Sequence, residues 1–297
     1  MKRKNTGKMP VRLMGKMPML RLRDQVVPQK GISMNDGSFP KLFVTDLDGT
    51  ALGGGYQPYA RFPDPFSEFL DRLSARGCRW AISTTWDVAG QHQAVLASAV
   101  KSRPAFCIAE MSCRIARLNN EVLEFVQPYT ADTEAKVLEA CQTQLFALMK
   151  GVCGNFSPYR MNFYGHWFDF SPLEQDRERL AGYVRANFPE ADKHLHLFVG
   201  GGVCAYPKIL EKGRGVREVL RLTGIAPEQV VIAGDSMSGD GSMMNPTTGR
   251  WGVCPSNAEE TLKAHVLALG GAVGQDVASR GVIQAFKSLA EKQGWEF

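Results

Sequence analysis

The chain has 297 residues, of which 44% are hydrophobic and 22% charged, a balance that suits one large globular domain or two unequal ones and excludes disorder as the main state. Charged or turn-forming residues interrupt every apolar run well short of the roughly 20 residues a membrane-spanning helix requires, so a soluble protein with no membrane partner is expected. The net charge of +5 does not point to nucleic acid: residues 1–30 hold nine of the 35 basic residues against Asp24 alone, and the remainder of the chain is mildly acidic.

Residues 1–37 read as a basic, flexible tail in which Gly-Lys-Met-Pro occurs twice, at Gly7–Pro10 and Gly15–Pro18. The tail lacks the apolar run of a secretory signal, and Met34 is a second candidate start. Seven cysteines, Cys78, Cys107, Cys113, Cys141, Cys153, Cys204 and Cys254, are odd in number and widely spaced, with no Cys-x-x-Cys and no histidine at zinc-finger spacing. That pattern predicts reduced, mostly buried thiols in a cytoplasmic protein. His194 and His196 share a strand face by parity, but no third ligand accompanies them in the sequence.

From Lys41 the chain runs Lys-Leu-Phe-Val-Thr and stops at Asp46-Leu47-Asp48-Gly49-Thr50, which predicts a buried strand with acids at its carboxyl end, where open α/β sheets bind ligands. After a glycine-rich loop at Gly53–Gly55, a helix is expected with Asp64 as N-cap, Pro65 in first position, an apolar stripe of Phe66, Phe69, Leu70 and Leu73, and Gly77 as the stop. Arg79–Ile82 then leads into Ser83-Thr84-Thr85, a second strand ending in hydroxyls, and Ala105–Ala109 reads as a third. Strand, helix, strand is the unit of a parallel sheet. Between about 120 and 206 the periodicity changes to two amphipathic helices, near 131–150 and 172–187, alternating with strands near 159–165 and 194–206. The first pattern resumes with a helix at Gly213–Thr223 and a buried strand, Val230–Ala233, that ends at Asp235.

The fold class expected is α/β: a doubly wound, Rossmann-like parallel sheet over 38–119 and 207–297, with an α+β unit inserted at 120–206. Its strand ends bring Asp46 and Asp48, Thr84, and Asp235 with Asp240 toward one place, with Lys212 nearby. A carboxylate can attack phosphorus if the mutual repulsion of the anions is cancelled, which calls for a divalent cation and a lysine. Magnesium takes oxygen ligands of this kind. Two residues on from Asp46, Asp48 points to the same side of an extended strand, where it can give and take a proton.

Asp46-Leu47-Asp48-Gly49-Thr50 resembles the first motif of the haloacid dehalogenase superfamily in its phosphatase form. Three further motifs follow in the superfamily's order, and the resemblance covers residues 40–297. It implies a phosphate-binding hydroxyl at Thr84, with Ser83 as the alternative, and a lysine opening a helix at Lys212, with Lys208 as the competitor. It also implies a Mg²⁺ site from Asp46, Asp48, Asp235 and Asp240, and a phosphate-facing Asn257 in Gly252-Val253-Cys254-Pro255-Ser256-Asn257-Ala258. Aspartate at 48 separates phosphatases and phosphomutases from dehalogenases.

The insertion resembles the large cap of the Cof-type and sucrose-phosphate phosphatase subgroup. Ser157–Tyr164 is similar to a cap strand of the sugar-phosphate enzymes, and Gly200-Gly201-Gly202 falls at their glycine pair. The resemblance therefore implies a small phosphorylated substrate, with Arg160 bonding sugar hydroxyls. Trp167, Phe168 and Phe170 read as cap core, with an aromatic lining for a sugar face as the alternative. The acidic motif departs from the subgroup, with five residues from Asp235 to Asp240 and Gly239 before Asp240 in place of asparagine. A phosphomutase and a non-catalytic sugar-phosphate-binding protein are the alternative functions.

Overall fold

A computed structural model describes residues 39–53, 60–119 and 122–297. The basic tail and the glycines at 54 and 55 lie outside the described residues.

The first strand, β1 (Leu42–Thr45), is buried at all four positions. A strand apolar on both faces needs cover on both, which is the environment of a parallel sheet between helices. Helix α1 (Asp64–Ala75) supplies one such cover, burying Phe66, Phe69, Leu70 and Leu73. Its cap is Pro63 rather than Asp64, which is the first helical residue and whose side chain makes no capping bond. The chain leaves the helix through Gly77 at φ +80° and enters β2 (Arg79–Ser83). Helix α2 (Val88–Leu96), capped by the Asp87 carboxylate, leads to β3 (Phe106–Ala109).

Two strands that periodicity did not predict follow, β4 (Arg114–Asn119) and β5 (Val122–Phe125), an antiparallel hairpin on the edge beyond β3. The larger sheet therefore extends past residue 119 to Phe125, with β4 laddered to β3 and β5 to β4, while Arg114 and Ile115 also bond to Glu134 and Thr130 of the helix that follows.

Helices α3 (Tyr129–Ala140) and α4 (Phe146–Asn155), joined by a π-helical turn, form one long rod where a single helix over 131–150 is predicted. Next come β6 (Pro158–Phe163), β7 (Phe168–Pro172), α5 (Arg177–Asn187), the short α6 (Ala191–His194), β8 (Leu195–Val199) and β9 (Val203–Pro207). Sequence periodicity reads 194–206 as one strand. The structure makes it a hairpin, because Gly200–Gly202 turns the chain and Gly202 sits where a Cβ would meet the Phe170 carbonyl at 2.5 Å. These four strands make a second, antiparallel sheet in the order β6-β7-β9-β8, with the helices packed over Phe168, Phe170, Val203 and Ala205.

The chain returns to the larger sheet through α7 (Lys212–Thr223), β10 (Val230–Ala233), α8 (Met237–Asp240), β11 (Trp251–Cys254), α9 (Glu260–Ala268), β12 (Ala272–Val273) and α10 (Ala278–Gln293). Strand order is β12-β11-β10-β1-β2-β3-β4-β5. β1 is thus flanked by β10 on one side, with Thr45 opposite Ala233, and by β2 on the other, with Thr45 opposite Ile82. The sheet is wound outward in opposite directions from β1, and the crevice at that reversal lies at the strands' carboxyl ends. Both sheets belong to one compact unit. Among the described residues no helix is long and apolar enough to cross a membrane.

Candidate active site

Asp46 is the first residue beyond β1, and its amide donates to the Ala233 carbonyl at 3.0 Å, so the β1–β10 ladder fixes its height. The chain then turns sharply, with the Leu47 carbonyl accepting from Thr50 and Leu52. Gly49 makes that turn at φ +70°, where a Cβ would fall 2.1 Å from Asp235 Oδ2. The residue is glycine for both reasons, conformation and space.

Lys212, at the first position of α7, is buried and sends its ammonium between two carboxylates: Nζ lies 2.6 Å from Asp46 Oδ1 and 2.7 Å from Asp240 Oδ1. The other oxygen of Asp240 accepts from the backbone amides of Asp235 at 2.9 Å and Ser236 at 3.1 Å. Asp240 is fully buried, and both its oxygens are engaged. Asp235 lies two residues past β10, and its carboxylate accepts only a long bond, 3.4 Å, from Thr50 Oγ1. Ser112 braces the lysine's helix, donating to the Lys212 carbonyl at 2.9 Å and accepting from the Gly215 amide at 3.1 Å.

Charge does not balance in this cluster. Three carboxylates, those of Asp46, Asp235 and Asp240, present oxygens within 4.8 Å of one another around one lysine. Burial pushes the Asp46 carboxyl up to about 7 despite the Lys212 ammonium beside it, with Asp240 adding to the rise. Burial, then Asp240, pushes Asp235 up to about 6. Burial alone would lower the lysine, but Asp240 and Asp46 outweigh it and hold it above its ordinary value. The donor set is hard oxygen with an excess of negative charge, which fits a small divalent cation such as Mg²⁺.

Asp48 stands apart. Its Oδ2 accepts from the Trp86 indole at 2.8 Å, while its Oδ1 is buried with no hydrogen-bond partner. Burial raises its pKa, opposed by the indole and by Lys212. A carboxyl held this way keeps its proton more readily than an exposed aspartate and has an oxygen free to exchange it.

Asp46, Asp48, Lys212, Asp235 and Asp240 line a single cavity of about 560 Å³, together with Gly49 and Thr85. Its far wall is the second sheet: Trp167, Phe198, Cys204 and Tyr206. Trp167 lies flat on Tyr206, rings 4.2 Å apart and 8° from parallel, packing against the core of the second sheet while it also lines the cavity. Phe168 and Phe170 are core, as expected. A second cavity of about 680 Å³ shares Asp48, Thr85, Met111 and Trp167 with the first and adds Trp86, Asp87, Glu110, Tyr164 and His166.

Three predicted positions fall elsewhere. Thr84 is buried at 1% exposure, bound through its amide to Ile108 and through its carbonyl to Met111, and Thr85 lines the cavity in its place. Ser83, the alternative, is wholly buried with its hydroxyl unpartnered. The side chain of Asn257 is committed to scaffolding, donating to the Gly49 carbonyl at 2.8 Å and accepting from the Ala278 amide at 2.6 Å. Arg160 lies on the edge strand β6 with its side chain 64% exposed, paired to Asp169 at 3.2 Å, and does not line the cavity. Thr85, Phe198, Cys204, Tyr206 and Ser112 are the residues that sequence reasoning did not select; the hydroxyl run Ser83-Thr84-Thr85 carried a signal for Thr85 alone.

No protein-family model matches the sequence, and no curated protein matches it either. Solved structures do match in fold. The sucrose-phosphatase of Synechocystis sp. PCC6803, solved with sucrose and phosphate, superposes with a TM-score of 0.56 at 15% identity over 85% of this chain and 98% of that one. A Thermotoga maritima protein gives 0.54 at 14% over 84% and 97%, and a haloacid dehalogenase-like hydrolase of Bacillus subtilis gives 0.53 at 13% over 87% and 94%. The fold of this chain is that of the haloacid dehalogenase-like hydrolases, an α/β core with a second, antiparallel sheet in the position of a cap.

Proposed function

We propose that this protein is a cytoplasmic, Mg²⁺-dependent phosphatase that hydrolyses a phosphate monoester, a sugar phosphate by class, through a phospho-aspartate on Asp46. The observation that carries the reading is the buried Asp46–Lys212–Asp240 cluster opening into the same cavity as Asp48, whose carboxyl has one unpartnered oxygen and is raised by burial, the direction that suits a proton donor. The sheet over 158–207 with its helices is read as a cap that shields the reaction from water, as the lids of phosphoryl-transfer sites do.

Asp46 keeps one oxygen on Lys212 and attacks phosphorus with the other; the bond from phosphorus to the leaving oxygen breaks as Asp48 delivers its proton there. In the second half Asp48, now ionised, takes a proton from a water that attacks the same phosphorus, and the bond to Asp46 breaks to release inorganic phosphate. Lys212 stays charged throughout and offsets the negative charge on the phosphoryl oxygens. Asp46, Asp235 and the backbone carbonyl of Asp48 would hold Mg²⁺, which supplies charge neutralisation at the phosphoryl group. Asp240 acts through Lys212 and the Asp235 amide, fixing both. Thr85 takes the hydroxyl role assigned from sequence to Thr84. The flat Trp167–Tyr206 wall suits the face of a sugar ring, and a relative of the same fold was solved with sucrose and phosphate.

The test is phosphate release from a panel of sugar phosphates with and without Mg²⁺, for the wild type and Asp46→Asn. Metal-dependent release that falls by about 10⁴-fold or more in the folded variant is expected, the scale of removing a nucleophile. Turnover retained by Asp46→Asn removes the covalent mechanism. Binding without release points to the regulatory reading, and an isomerised sugar phosphate points to a mutase.

A further inference from the structure

A second cluster of ligand-forming side chains lies away from the carboxylates. Past β3 the chain passes through Glu110, Met111 and Ser112 at φ +53°, +55° and +71°, three successive non-glycine residues in the left-handed region. Such a run is costly and survives only where the surroundings impose it. Here the Glu110 amide is held by the Trp86 carbonyl and the Met111 amide by the Thr84 carbonyl, and the chain folds back until the Cys113 amide meets the Glu110 carbonyl at 3.0 Å. Glu110 and Cys113 are thereby brought together.

The third member comes from the other sheet. The β6–β7 hairpin closes between Tyr164 and Trp167, with Gly165 at φ +71°, and its tip carries His166. Ligand atoms of Glu110, Cys113 and His166 all lie within 4.8 Å of one another. Glu110 and His166 border the second cavity, so the cluster is open on one side.

We propose that Glu110, Cys113 and His166 form a zinc site that pins the tip of the cap hairpin to the core. A thiolate, an imidazole and a carboxylate are the donors zinc favours, and three protein ligands with one open position is a familiar zinc arrangement. The donors differ from the all-oxygen cluster at Asp46, Asp235 and Asp240, so the two sites sort soft from hard cations. Arg114 Nη1 reaches both oxygens of Glu110, at 2.8 and 2.9 Å, and orients the carboxylate. Each oxygen keeps a second lone pair for the ion. Binding deprotonates the Cys113 thiol and releases that proton to solvent. No sequence spacing announces the site, because its ligands come from a bent loop of the core and a hairpin tip of the cap. The inference does not depend on the phosphatase reading.

The test is a Co²⁺ titration of the chelator-treated full chain, read as the near-ultraviolet thiolate-to-cobalt charge-transfer band, followed by back-titration with Zn²⁺. One equivalent of Co²⁺ giving the band, and its displacement by Zn²⁺, is expected. The band should vanish in Cys113→Ser, persist in Asp46→Asn, and require at least about tenfold more Co²⁺ in His166→Ala. Cys113 is buried, so if its variant misfolds by circular dichroism the turn variant His166→Ala, at a half-buried position, decides. No band in the wild type, a band that survives Cys113→Ser, or unchanged affinity in His166→Ala overturns the proposal.

Discussion

The two walls of the cavity differ in what holds their residues in place. On the core side, Asp46 and Asp235 follow adjacent parallel strands whose register, Thr45 opposite Ala233, brings them within one residue of the same height before any side-chain contact is made. On the cap side, Trp167 lies outside its strand, closes the β6–β7 turn through its carbonyl and stacks on Tyr206, nearly forty residues later, which with Phe198 sits in the β8–β9 ladder. Backbone ladders therefore place Asp46 and Asp235 on the core wall and Phe198 and Tyr206 on the cap wall, whereas the Trp167 ring depends on side-chain packing between distant segments. Chemistry common to many substrates needs the first kind of precision, and discrimination between leaving groups can live on the second.

The sharpest way to break this division is at Asp48, which belongs to the core wall and which the proposed mechanism has protonate the leaving group. Asp48→Asn keeps the bond from the Trp86 indole and removes the transferable proton. Turnover of a sugar phosphate is expected to fall about 10²- to 10⁴-fold, while an aryl phosphate, whose leaving phenolate needs no proton, should lose far less. Equal losses on both substrates would mean that Asp48 holds the site together and moves no proton.

That asymmetry also explains what could be read in advance. β1 is a four-residue apolar run stopped by Asp-Leu-Asp-Gly, a local pattern that states both strand and site. Lys212 was legible because it opens a helix just ahead of a glycine. The sequence points to Thr84 where Thr85 lines the cavity, because β2 ends at Ser83 and alternation no longer says which way a side chain turns beyond the last strand residue. The β4–β5 hairpin was missed because Arg114–Phe125 mixes charged and apolar residues on a half-exposed edge. Arg160 was selected by the resemblance of its strand, but the structure leaves that strand at an edge, with Arg160 paired to Asp169 and outside the cavity lining.

The core wall carries a pH signature. Asp46 and Asp235 are raised from an ordinary 3.8 to about 7 and about 6, so without metal the folded protein holds protons that the unfolded chain has already lost. Its stability should therefore be fullest below about pH 4 as far as these groups contribute, and decline as pH rises toward 7. Under the proposed function Mg²⁺ would bind the ionised carboxylates and should reverse this trend. At a hundredfold excess over Kd it should add about 2.7 kcal/mol near pH 8 and much less at pH 5, read by calorimetry as a Tm increment that grows with pH. An increment independent of pH would show that the ion binds elsewhere than at these aspartates.

On the cap wall the expected effects are smaller and fall on substrate binding. Trp167→Ala removes one face of the Trp167–Tyr206 stack, an aromatic contribution of about 0.5–1.5 kcal/mol. KM for the preferred sugar phosphate should rise up to about tenfold with kcat nearly unchanged. A loss confined to kcat would instead make Trp167 part of cap closure around the reacting group.

Arg160→Ala should do least, because an exposed ion pair such as Arg160–Asp169 contributes about 0–1 kcal/mol. A change in kcat/KM of less than about twofold is expected, within the range of such surface pairs. Removing Arg160 also frees Asp169, which Asn162 still contacts at 3.4 Å, so no buried charge is stranded. The variant isolates one question: whether the edge strand ever reaches the substrate. A rise in KM of the size caused by Trp167→Ala would mean that the cap closes by swinging β6 over the crevice, and the cap wall would then hold a charged recognition residue as well as its aromatic ones.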